Sequence, residues 1–248
     1  MEWRDEGLIL GVKRYGETGV IAELMTPHHG RHRGLVRGGA SRRLRPILQP
    51  GNSVDVSWRA RLDDQLGSYT VEGTVLRAGD VMAQASALDA VNLLGALLRL
   101  LPERDPHPSL YAAALVLVDR LTDAAVAPAL MVRFELGILA ELGFGLDLAS
   151  CAGTGATDDL IYVSPKSGRA VSRIAGEPYR DRLFALPPFL KGEAASAPSV
   201  ADLLACFALT GHFLMRDVFD PRGLPMPDSR RAYVEKLGKS SAAGNGSG

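Results

Sequence analysis

Hydrophobic and polar residues alternate with a period of two in the first third of the chain. Val54, Val56 and Trp58 are separated by Asp55 and Ser57 and flanked by Ser53 and Arg59, the pattern of a strand with one buried face. Val20 to Met25 is rich in strand formers and runs into the turn Thr26-Pro-His-His-Gly30; Leu8 to Val12 precedes it and Tyr69 to Leu76 closes the set. Gly30, Gly34, Gly38, Gly39, Gly51 and Gly67 punctuate the stretch, and no apolar period of helix length interrupts it. About five short strands in residues 1–80 predict a small closed β-barrel of the OB-fold kind.

Beyond Gly79 the period lengthens. Leu88, Val91, Leu94, Leu97, Leu98 and Leu101 recur at helical spacing, and Pro102 stops the run. Ser109 is placed to cap a helix through Leu121, Pro128 suits the first turn of one that carries Met131 to Leu142, and Gly143 suits its C-terminal end. Ser199-Val-Ala-Asp202 has the spacing of a capping box opening a helix to about Phe219, and a last short helix spans Ser229 to Leu237. The expected fold class is therefore α+β: a barrel domain over 1–80, a mainly α-helical domain over 81–237, and a disordered tail over 238–248, whose small polar residues have nothing to pack.

Composition changes this picture little, and charge changes it more. With 46% hydrophobic and 23% charged residues the chain can bury a core. The apolar run Ala112 to Val118 is far short of a bilayer span, and the charged start Met-Glu-Trp-Arg-Asp-Glu is unlike a secretory signal, which predicts a soluble cytoplasmic protein with no membrane partner. Two cysteines, Cys151 and Cys206, make no disulfide scaffold. The net charge is zero, yet residues 1–61 carry eleven Lys/Arg against six Asp/Glu, and the remainder carries 17 against 22. A front segment of +5 joined to a remainder of −5 points to a polyanionic partner for the front.

The positive charge is concentrated between Arg31 and Arg45, where six arginines and four nearby glycines occur with no acid among them. Guanidinium forks match phosphate oxygens, and glycine lets a backbone approach a ligand closely, so a loop of this composition on a barrel is an electrostatic track for nucleic acid. The candidate DNA-binding residues are Lys13, Arg14, Arg31, Arg33, Arg37, Arg42, Arg43, Arg45 and Arg59. Tyr15, Trp58 and Tyr69 are candidate stacking rings, although an aromatic in a small barrel is more often core.

Four segments together resemble the bacterial RecO family of DNA repair proteins. They are Gly7-Leu-Ile-Leu-Gly-Val-Lys-Arg-Tyr-Gly-Glu-Thr18; the Thr26 to Gly30 turn with Arg37-Gly-Gly-Ala-Ser-Arg-Arg43; Arg133-Phe-Glu-Leu-Gly-Ile-Leu-Ala-Glu-Leu-Gly143; and Tyr162-Val-Ser-Pro-Lys-Ser-Gly168. The resemblance implies an OB-fold that binds single- and double-stranded DNA, a helical C-terminal domain, strand annealing, and recombinase loading together with RecR. It also implies capture of the C-terminal tail of single-stranded DNA-binding protein, for which Arg133 is the candidate anchor, against an internal ion pair with Glu135 or Glu141. The expected location is the cytoplasm, with the nucleoid.

Many relatives carry a four-cysteine zinc ribbon after the Arg133 to Gly143 helix. Here Cys151 stands at the first position, while Thr154, Ser172 and Ala175 occupy the others, so the insertion at about 147–178 is expected to be degenerate, metal-free and cofactor-free. A competing reading is a metal-dependent nucleic-acid enzyme using His28, His29 and His32, which have no carboxylate nearby in sequence, with the turn acids Asp63-Asp64 or Asp158-Asp159. Adjacent acids on a strand point to opposite faces and make poor metal sites. GxxxxGK[ST], GxSxG and HExxH are all missing, so no enzyme is expected. A third reading is a helical interaction scaffold merely supported by the barrel.

Overall fold

The computed structural model describes residues 1–192 and 197–244. The chain divides into two compact units, Met1–Ala124 and Ala125–Gly248. The first is built on strands β1 (Glu2–Tyr15), β2 (Gly19–Thr26), β3 (Gly30–Val36), β4 (Ser53–Arg59) and β5 (Ser68–Val75), closed into a barrel in the order β1-β2-β3-β5-β4. Only the β3–β5 pairing is parallel. This is an OB-like barrel, as the glycine-punctuated alternation predicts.

Two strands depart from the sequence reading. β1 runs over 14 residues, pairing with β4 from Glu2↔Arg59 to Leu8↔Ser53 and with β2 from Leu8↔Met25 to Tyr15↔Gly19, with a bulge between Ile9 and Gly11. Its charged first half hides the strand, because the inward positions there are Trp3 and Asp5. β3 occupies the first third of the expected basic loop: His32, Gly34 and Val36 face inward while Arg31, Arg33 and Leu35 are more exposed. A histidine and a glycine disguise the buried face. Gly34 is there because the Tyr69 ring lies on it, leaving 2.6 Å to any Cβ. Gly30, at φ +62, has the Asp105 carbonyl 2.0 Å from where a Cβ would sit, so only glycine lets residues 103–105 run against the start of β3.

Helices α1 (Ala78–Ala83), α2 (Ala85–Leu98) and α3 (Pro108–Val118) complete the first unit. The expected boundary near residue 80 marks the end of the barrel strands, whereas the compact unit continues to Ala124. Arg99 of the α2 C-cap joins the barrel through Glu23 (2.7 Å) and the Leu10 carbonyl (2.9 Å). α3 is opened by Pro108 behind His107 rather than by a Ser109 cap, since a proline without N–H suits the first turn.

The second unit contains α4 (Ala127–Glu141), a three-stranded sheet of β6 (Leu160–Val163), β7 (Ala170–Ser172) and β8 (Phe184–Ala185) in the order β7-β6-β8, the single turn α5 (Arg173–Gly176), α6 (Val200–Phe213) and α7 (Asp228–Gly244). Pro128 sits in the first turn of α4, and Gly143 follows its C-cap at φ +87. The Ser199–Asp202 capping box is formed in both directions, and a π-helical turn, Leu214–Phe219, carries α6 onward. The buried Glu135 carboxylate accepts two hydrogen bonds from Arg230 at 2.7 and 3.0 Å, tying α7 to α4. Instead of a disordered tail from 238, α7 continues to Gly244, with Gly238 lying against Leu204 and two alanines, Ala242 and Ala243, near its end; residues 245–248 lie outside the described residues. No helix among the described residues is long and apolar enough to cross a membrane.

Candidate nucleic-acid interface

The turn from Arg37 to Asn52 is pinned to the barrel. Leu48 is buried in the core with Val20, Val36 and Val71, and Ala40, Leu44 and Ile47 pack against it. The Asn52 side chain donates to the Pro46 and Ile47 carbonyls, both at 2.9 Å. With the apolar residues turned inward, Arg37, Arg42, Arg43 and Arg45 are exposed on the outer side. Lys13 and Arg14 are exposed on the last residues of β1, and that hairpin is stitched to the turn by the Ala40 N–H donating to the Thr18 carbonyl at 3.0 Å. Among the described residues none of these six cations forms an ion pair.

The other three candidates have acid partners. Arg31 is mostly buried and bonds Glu23 at 2.7 Å and Glu103 at 3.3 Å, as well as the Leu101 carbonyl. Glu23 is buried too, which alone raises its pKa, but the Arg99 and Arg31 hydrogen bonds outweigh burial and hold it low. Arg33 meets Glu103 at 2.8 Å and Arg59 meets Glu2 at 2.8 Å, both on the surface. The sequence shows no acid within the basic segment because Glu103 arrives from the α2–α3 connection.

Two grooves border the turn. One of about 500 Å3 runs between Val12 and Arg14 of β1 and Arg45 and Gln49 of the turn. The other, about 530 Å3, has Arg42, Arg45 and Gln49 on one side and Ala78 and Met82 of α1 on the other. Arg45 and Gln49 belong to both. Met82 had no signal in the sequence, being a lone methionine beyond the last strand.

Of the three candidate rings, Trp58 and Tyr69 are core, with Trp58 fully buried and its indole N–H donating to the Leu66 carbonyl at 3.0 Å. Tyr15 is exposed. The three histidines do not converge. Contrary to the sequence reading a carboxylate is close by: Asp5 sits 3.0 Å from His28 Nδ1 and 2.8 Å from His29 Nδ1, and these bonds hold its carboxyl below the ordinary value although burial opposes them. His32 instead turns into the barrel. Of the paired acids, Asp159 is engaged by Arg173 at 3.1 Å. Among the described residues no group of three or more His, Cys, Asp or Glu has a metal-holding arrangement.

In the second unit the four ribbon positions are close together. The Cys151 thiol donates to Ser172 Oγ at 3.5 Å and accepts from the Ser172 N–H at 3.3 Å, while Gly153 neighbours Ala175. Burial raises the Cys151 pKa, but hydrogen bonds from Ser172, Thr154 and backbone amides bring it to about 6. One thiol with hydroxyl neighbours is not a tetrahedral zinc site. The β6–β7 hairpin tip is held by Arg216 and by His212 Nε2, 3.2 Å away, both on the Pro165 carbonyl. Arg133 is exposed and lies 5.5 Å over the Phe189 ring; Glu135 is not its partner, being taken by Arg230.

An OB-like barrel that displays six unpaired cations on an anchored turn and the adjoining end of β1, in a chain with a second, mainly helical unit, has the features of the nucleic-acid-handling class. Comparisons with known proteins narrow the class. Residues 1–76 match the family model "Recombination protein O N terminal", and residues 86–224 match "Recombination protein O C terminal". Proteins named DNA repair protein RecO are similar over nearly the whole chain: that of Beijerinckia indica is 61% identical over 241 residues (97% of this chain, 96% of the relative). The Methylocella silvestris protein is 60% identical (96% and 97%), and the Rhizobium etli protein 58% identical (95% and 92%). The chain belongs to the RecO family of DNA repair proteins.

Proposed function

We propose that the chain is a non-catalytic mediator of recombinational repair. It binds single- and double-stranded DNA through the barrel, anneals complementary strands, and helps to load recombinase with RecR in the cytoplasm, at the nucleoid. The observation that carries the reading is the set Lys13, Arg14, Arg37, Arg42, Arg43 and Arg45, exposed without acid partners on an ordered scaffold. Cations so placed bind phosphates without first breaking an internal pair, and screening two backbones at once lowers the repulsion that opposes annealing. Arg33 and Arg59 can exchange a surface carboxylate for a phosphate, whereas Arg31 serves the fold. In the second unit Arg133, beside the buried Phe189 ring, suits the acidic, aromatic-tipped tail of single-stranded DNA-binding protein.

The test is the salt dependence of DNA affinity. If the four arginines of the turn reach phosphates of a single strand at about −0.7 each, they contribute roughly −3 to the slope of log affinity against log salt. The variant Arg37→Ala/Arg42→Ala/Arg43→Ala/Arg45→Ala is expected to flatten the slope by about that amount and to weaken all sequences alike. An unchanged slope in a variant that melts like the parent refutes the reading, and so does a loss confined to particular sequences.

A further inference from the structure

We infer that the groove between the basic turn and α1 is a docking place for an unstacked nucleobase, so that the track distinguishes single strands from duplex. The inference rests on the reading of the turn as a DNA-binding element. Val75, Leu76 and Met82 are 46%, 57% and 54% exposed at the junction of β5 and α1. That apolar surface continues onto the turn: a Cβ at Gly73 would be 3.1 Å from Leu76 and 3.3 Å from Ile47, which puts both side chains over the same strand position. α1 is only six residues long and spends its buried face, Ala78 and Val81, on the fold, which leaves Met82 outward. Exposed apolar side chains grouped beside cations mark a surface that binds something.

The chemistry of the rim identifies the occupant. Arg42 and Arg45 flank the groove, Pro46 and Met82 line it, and its volume is about 530 Å3. A ligand that fits has anionic groups at a short repeat and flat apolar faces between them. A methionine thioether adapts to such faces. In a duplex the base faces are already stacked and cannot enter, whereas a single strand can place a base on Met82 while its phosphates stay on the two arginines. Arg45 and Gln49 also line the groove that leads to Arg14, so a strand leaving the base-docking groove passes directly onto further cations. A short acidic peptide with an apolar residue would satisfy the groove as well, but would leave the other unpaired cations without a role.

The experiment measures equilibrium affinity of the full chain for three ligands at one salt concentration: an oligothymidine, an abasic deoxyribose-phosphate strand of equal length, and a duplex. The parent protein should prefer the oligothymidine to the abasic strand by about fivefold or more. Met82→Ala should bring that ratio close to one without changing affinity for the abasic strand or the duplex, and Met82→Leu should preserve it. Equal binding of base-bearing and abasic strands by the parent overturns the base-docking groove while leaving the phosphate track intact. An equal loss for both strands in Met82→Ala overturns it too. So does an acidic, aromatic-tipped peptide that binds in a Met82-dependent way while oligothymidine affinity stays the same. If the parent binds none of the three nucleic acids, both this inference and the reading beneath it fall.

Discussion

His32 makes the barrel's stability depend on pH in a calculable way. Its ring is 3% exposed, its Nδ1 is 2.9 Å from the Tyr69 hydroxyl, and Trp3 and Trp58 meet it edge-on at 5.1 and 5.2 Å. Burial, reinforced by the positive charge of Arg104, lowers its pKa from 6.5 to about 4. The folded state therefore refuses a proton that the unfolded chain accepts below pH 6.5. Stability is fully present above that value and is lost as pH falls toward 4. At 1.36 kcal/mol per unit, the loss between pH 7 and pH 5 is about 2 kcal/mol. Both tryptophans of the chain lie on this ring, so denaturant melts followed by tryptophan fluorescence report on the barrel alone. The Asp5 and Glu23 carboxyls, held below their ordinary values, titrate beneath this window. His32→Gln should start from a lower stability but change by less than about 0.5 kcal/mol between the two pH values, because the titrating group is gone. A parent protein with equal stability at pH 7 and pH 5, or a variant that keeps the full drop, refutes the reasoning.

Other expectations follow from the second unit. Glu135→Ala leaves the Arg230 guanidinium buried without its carboxylate and should destabilise that unit by about 3–5 kcal/mol in melts followed by circular dichroism, with the tryptophan signal little changed. With hydroxyls and a methyl beside Cys151, elemental analysis after dialysis against a chelator should find well under one zinc per chain, and about one zinc would contradict the degenerate-ribbon reading. Arg133→Ala should weaken binding of an acidic, aromatic-tipped tail peptide by about tenfold, and unchanged affinity in the folded variant removes Arg133 as its anchor.

The barrel was legible where its strands are half-buried in the ordinary way: β2, β4 and β5 alternate with apolar residues on one face. β3 and the first half of β1 were not, because their inward positions are filled by His32, Gly34, Trp3 and Asp5, whose burial depends on partners distant in sequence. The longer helices α2, α3, α4, α6 and α7 show in the sequence through their periodicity, whereas the short α1 and α5 carry too few apolar repeats to show, and the start of α3 is set by Pro108, not Ser109. The Ser199 capping box shows because capping is local. The same locality made the basic segment conspicuous while hiding which of its cations are spent. Arg31 and Arg33 look identical to Arg42 and Arg43 in sequence until Glu23 and Glu103 are brought beside them by tertiary structure. The groove floor at Met82 carries no local signature.

The clasp between Glu23, Arg31, Arg99 and Glu103 decides where this protein can be cut. A fragment ending near residue 80 contains every barrel strand, yet it discards Arg99 and the Leu101 carbonyl, and with them Glu103. Glu23 would keep one of its two guanidinium partners, and Arg31 would face water on the side now covered by the α2–α3 connection. The edge of β3 at Arg31 would be uncovered as well, leaving open the Arg31 carbonyl that now accepts from the Arg104 N–H at 2.8 Å. Open strand edges recruit other strands. The compact unit Met1–Ala124 keeps the clasp and the covered edge, and it is the piece to fuse, transplant or study in isolation.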